Sequence, residues 1–162
     1  MLKNRKGFTL IELLVVIAII ALLSTIAVVS LGGARAKARD AKRVADVKQM
    51  QTSLEIYFND NTSYFNENTL AAGVILTTAN FGTVMPQTPN APTPFDGTCA
   101  TDNNQYTYAG ATAGGLDCGA TPTLCNSYEL QFCLGANTGD LVAGPNCATP
   151  NGIISGACNF AN

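Results

Sequence analysis

The chain has 162 residues, enough for one modest domain with an appendage. It contains no His and no Trp, which removes imidazole acid–base chemistry and histidine metal sites. Its net charge of -2 conceals a division: every Lys and Arg lies at or before Lys48, whereas most Asp and Glu lie at or after Glu55. The acidic C-terminal part has no basic patch, so direct nucleic-acid binding is not expected.

Residues 1–7 form a short polar leader with Lys3, Arg5 and Lys6. Residues 8–31 are apolar apart from Ser, Thr and a single charge, Glu12, and contain neither Gly nor Pro. A helix of that length reaches roughly 36 Å, sufficient to cross a hydrocarbon core of about 30 Å. Gly32-Gly33 is the first soft point. Residues 32–59 then read as an amphipathic helix, with Val44, Val47, Leu54 and Phe58 on one face, Gln51 filling a gap, and Ala41 and Met50 widening the stripe. If the glycines do not break it, one helical rod of about 75 Å covers residues 8–58. The polar run "NDNTSY" (59–64) stops it. The basic cluster Arg35, Lys37, Arg39, Lys42 and Arg43 reads as a solvated helix face, with lipid headgroups or acidic neighbours as alternative partners.

Residues 60–103 read as an irregular connection, rich in Pro over "MPQTPNAPTPFDGTC" (85–99), with a short helix near Leu70 to Ala72. Residues 104–162 form the remaining segment, with strand signals at 105–109, at 127–134 and at 140–144. In the second of these, Tyr128, Leu130, Phe132 and Leu134 alternate with Glu129, Gln131 and Cys133. The expected fold is α+β: a long N-terminal helix, half apolar and half amphipathic, packed against a small antiparallel sheet head.

Six cysteines, Cys99, Cys118, Cys125, Cys133, Cys147 and Cys158, all fall in the acidic part without a Cys-x-x-Cys spacing. An even set behind an export-type segment reads as disulfides in an oxidising compartment, not as a metal site. Order along the chain suggests Cys99–Cys118, Cys125–Cys133 and Cys147–Cys158. Asp96, Asp102, Asp117 and Asp140 match no EF-hand spacing and read as surface acids. No nucleophile–base pair, metal cluster or cofactor motif is evident, so neither an enzyme nor a cofactor is expected.

The N-terminus admits several readings. A secretory signal fits the basic leader and the small-x-small "ARA" at 34–36, but its apolar core is normally ~7–15 residues and lacks an acid. A plain membrane anchor fits the length, yet a carboxylate at mid-bilayer costs roughly 2.5–3.5 kcal/mol and the segment offers it no partner. A buried core helix has nothing large enough to surround it.

The stretch "KGFTLIE" (6–12) accounts for the acid. It resembles the processing signature of the type IV pilin and type II secretion pseudopilin superfamily, and the resemblance extends over roughly residues 3–65. It implies cleavage by a prepilin peptidase after Gly7, N-methylation of Phe8, and Glu12 as the acidic fifth residue of the mature chain. It further implies that Glu12 of an incoming subunit meets the Phe8 amine of one already assembled. A homo-oligomeric helical filament, an assembly ATPase and an inner-membrane platform protein follow as partners. The expected product is a single-pass inner-membrane protein with its head outside, which then becomes a cell-surface pilus subunit. A type II secretion pseudopilin is the alternative within the family. A secreted or anchored binding protein is the alternative outside it.

Overall fold

A computed structural model describes residues 7–64, 74–75, 89–94, 96–97, 99, 105–112, 118 and 124–159. The expected short helix at 70–72 lies outside the described residues. The chain divides into two compact units, one through Arg35 and one from Ala36 onward.

Helix α1 runs Leu10–Asn61, and its helical backbone includes Gly32 and Gly33. Neither glycine is forced by crowding, since a Cβ there would meet nothing within 4 Å. In the first unit the apolar side chains are exposed, from Leu10 through Leu31. The helix is long and apolar enough there to cross a membrane, by length and composition. Two of its hydroxyls bond inward: Ser24 Oγ donates to Ile20 O at 2.7 Å and Thr25 Oγ1 to Leu22 O at 2.7 Å. Such back-bonding lets hydroxyls sit in an apolar surface without unsatisfied donors. The helix ends where Thr62 adopts φ +57° and its N–H bonds Phe58 O at 2.7 Å, a left-handed cap made without glycine.

The second unit is an antiparallel sheet in the order β1-β2-β3-β4-β5, with β1 Val74–Ile75, β2 Thr107–Ala111, β3 Ser127–Leu134, β4 Gly144–Thr149 and β5 Gly152–Ser155. Tyr108 stands opposite Leu130, and Leu130 opposite Ala148, so one face carries the apolar residues. Val47, Met50 and Leu54 of α1 are fully buried against Tyr108, Tyr128, Leu130, Phe132 and Leu134. Val44 and Phe58 pack partly against the same core. Burying one such side chain stabilises by about 1.5–3 kcal/mol, which makes these helical residues the main attachment of helix to sheet. Aromatic rings extend it: Tyr64 meets Tyr128 edge-on at 4.9 Å and Phe58 at 4.6 Å.

Several expectations need correction. Ala41 is exposed; the buried positions beside it are Asp40 and Arg43. Of the segment 140–144 only Gly144 belongs to a strand, so β4 begins where that strand was expected to end, and Leu141 instead forms an isolated bridge with Thr138. Side-chain amides replace ladder bonds there: Asn137 Oδ1 accepts from Ala143 N at 2.9 Å, and Asn146 Nδ2 donates to Val142 O and Gly144 O. Strand β1 also lies within the stretch expected to be an irregular connection.

The three disulfides are Cys99–Cys133, Cys118–Cys125 and Cys147–Cys158. The expected framework is present, but only the last pairing matches chain order. The Cys99–Cys133 bond joins β3 to a residue 34 positions earlier.

Candidate assembly site

The first described residues and the membrane-length helix meet at Thr9. Thr9 is the N-cap residue of α1 and Glu12 the third helical residue, the Thr-x-x-Glu spacing of a capping box. Glu12 Oε2 accepts from Thr9 N at 2.8 Å and from Thr9 Oγ1 at 2.6 Å, while Glu12 N donates to Thr9 Oγ1 at 3.4 Å. The expectation that the segment offers Glu12 no partner is therefore corrected. Its partner is three residues away, and the spacing was legible as a capping signal. Both side-chain bonds fall on Oε2. Phe8, adjacent to the cap, is 86% exposed.

In the second unit an ionic cluster holds a loop onto the helix. Arg39 grips Asp96 with two parallel bonds, Nε to Oδ2 at 2.5 Å and Nη2 to Oδ1 at 2.6 Å. Arg43 Nη1 donates to Asp40 Oδ1 at 2.7 Å, and Nη2 to Pro92 O at 3.1 Å. Asp40 also accepts from Gly135 N at 2.9 Å and Ala136 N at 3.0 Å. Arg43 and Asp40 each keep 1% of their side-chain surface exposed. Removing such charges from water costs several kcal/mol apiece, recovered only when every oxygen and proton has a partner. Here Gly135 N and Ala136 N donate to Asp40, and Pro92 O accepts from Arg43.

Two glycines make this approach possible. A Cβ on Gly135 would stand 2.4 Å from Asp96 Cβ, and one on Gly97, at φ +58°, 2.1 Å from Gly135 O. Cys99–Cys133 ties the same two segments together two residues away on each side. The expected solvated basic face is therefore corrected for Arg39 and Arg43, and the expected surface acid Asp96 is an ion-pair partner. Lys42 pairs with Asp46 at 2.7 Å, and Asp46 also accepts from Tyr106 OH at 2.9 Å. Burial and the adjacent Asp46 carboxylate hold the Tyr106 phenol protonated well above its usual range. Hydrogen bonds from Arg39 hold the Asp96 carboxyl below the usual carboxylate range, outweighing its desolvation.

Among the described residues, Glu129, Cys147 and Cys158 converge as a metal set would. Both sulfurs are already joined in a disulfide, so they offer no thiolate to an ion.

Residues 2–28 match the prokaryotic N-terminal methylation motif. The chain is 41% identical over 81 residues to the type IV wide pilus major component PilA4 of Thermus thermophilus, covering 49% of this chain and 62% of that protein. It is 38% identical over 62 residues to type II secretion system core protein G of Dickeya chrysanthemi, covering 38% and 40%. It is 39% identical over 65 residues to core protein G of Escherichia coli, covering 40% and 45%. The chain thus spans between two fifths and two thirds of the length of these relatives. Carrying a capped glutamate five residues past Gly7 at the head of an apolar helix, the chain bears the N-terminal methylation motif and is similar in its N-terminal part to a type IV pilus major component and to type II secretion core proteins G.

Proposed function

We propose that this protein is the structural subunit of an extracellular type IV pilus-like filament. It is made as a membrane-anchored precursor, cleaved after Gly7, N-methylated at Phe8 and assembled through its apolar helix. The observation that carries the reading is the exposed apolar helix beginning at a capped Glu12, directly behind the Gly7–Phe8 bond. Before assembly those side chains belong in lipid. Afterwards they exchange lipid for one another, so packing and an energised assembly machine supply the driving force.

Hydrolysis of the Gly7–Phe8 bond creates an α-ammonium at Phe8. Buried among apolar helices, that charge is costly without an opposite charge at hydrogen-bonding range. Glu12 of an incoming subunit supplies it, because the Thr9 cap engages Oε2 and leaves Oε1 to accept from the amine. The contact sets register more than stability, the best-attested use of buried polar pairs. A prepilin peptidase, an assembly ATPase and an inner-membrane platform protein are the partners. The disulfide-bonded head faces the oxidising side.

The test is Glu12→Ala in the full chain, scored for processing and for filaments in parallel. Cleaved, membrane-retained subunits without filaments support the role of Glu12. Normal filaments with normal subunit order refute it. A type II secretion pseudopilin remains the second reading, favoured by the similarity to core protein G. Three disulfides favour the durable exposed fibre.

A further inference from the structure

Internal pairing engages the central helical charges: Arg39 and Arg43 bind Asp96 and Asp40, and Lys42 binds Asp46. Lys48 and Asp60 are exposed and have no oppositely charged residue three or four positions away. At about 100° per residue, the core residue Leu54, Lys48 and Asp60 point in three directions about 120° apart. The two charges therefore face two different neighbours. Between them run exposed Ala38, Ala41 and Ala45, small enough for another helix to come close. Asp60 also stands in the last turn of α1, where no basic residue lies and the helix dipole disfavours a carboxylate. Its position opposes the stability of its own helix.

The charge order is self-complementary only under displacement. Copies packed parallel and level place basic segments beside basic segments. Moving one copy along the axis by twelve residues, about 18 Å, sets its Asp60 level with Lys48 of its neighbour. The displaced copy is the lower one, the same sense in which Glu12 of an incoming subunit meets Phe8 of an assembled one.

We propose that Lys48 of one copy pairs with Asp60 of a neighbouring copy, and that this contact sets the axial stagger of the helical arms. The inference rests on the filament reading. Charge reversals in the full chain test it. Like charges across an interface cost several kcal/mol, so Lys48→Glu and Asp60→Lys should each lower the yield of sheared filaments by about tenfold or more. The double reversal should restore it. A mass six hydrogens below that of its own reduced chain checks that each variant still folds. Single reversals assembling as the wild type, or a double reversal no better than either single, would overturn the pairing while leaving the filament reading intact. A wild-type chain that is processed at Phe8 yet forms no filament would overturn both.

Discussion

Replacing Arg43 by Met removes the cation from a pair that has almost no contact with water. Breaking a buried pair from one side costs about 3–5 kcal/mol, because the remaining charge stays buried. Here Asp40 keeps its two bonds from Gly135 N and Ala136 N, and Asp96 keeps both bonds from Arg39. The cost of Arg43→Met therefore falls near the lower end, about 3 kcal/mol. Asp40→Ala is worse, at about 4–5 kcal/mol, since it strands Arg43 and leaves two backbone donors without their acceptor. The pair removed together, Asp40→Leu with Arg43→Met, should cost clearly less than the two single changes summed, because neither charge is then left alone. Urea unfolding of full-length protein in mild detergent, followed by tyrosine fluorescence, measures all three. An Arg43→Met cost below about 1 kcal/mol, or an additive double variant, would refute the reasoning.

Three other outcomes follow from the same head. The disulfides close segments of 34, 11 and 7 residues, so chain-entropy arguments rank their removal at about 4, 3 and 2 kcal/mol for Cys99–Cys133, Cys147–Cys158 and Cys118–Cys125; paired Cys→Ala variants compared in urea would expose a reversed order. Gly135→Ala should displace the Asp96 loop and leave Cys99 and Cys133 partly unjoined, which thiol alkylation with intact mass would register. Because Arg39 depresses the Asp96 pKa, the unfolded chain binds that proton at higher pH than the folded one. Its stabilising contribution is complete above about pH 4 and is lost as pH falls through the lower folded value. Asp96→Asn should flatten that acid limb of the stability profile, and an unchanged slope would contradict the assignment.

What was legible in the sequence was what depends on neighbours in the chain. Strand β3 has its expected bounds because Tyr128, Leu130, Phe132 and Leu134 alternate strictly. Val47, Met50 and Leu54 lie on the buried face because helical spacing puts them there. The Thr9–Glu12 cap was missed, although its spacing of three carries a capping signal. Strand β4 was not legible: Gly144, Pro145 and Asn146 have no strand preference, and the strand exists because β3 and β5 flank it. Nor was the cluster around Asp96, whose partners Arg39 and Arg43 lie more than fifty positions earlier. Two disulfide pairings failed for the same reason. Chain order says nothing about which loop crosses which face of a sheet.

The central claim is that processing frees the Phe8 amine at the head of the apolar helix and that assembly then buries that helix among its copies. Filaments sheared from the cell surface, with the intact mass of their subunit measured, test it most directly. The subunit should start at N-methylated Phe8 and be six hydrogens lighter than its reduced form. A chain starting near Lys37, or one found only in the membrane with residues 1–7 still attached, would contradict it.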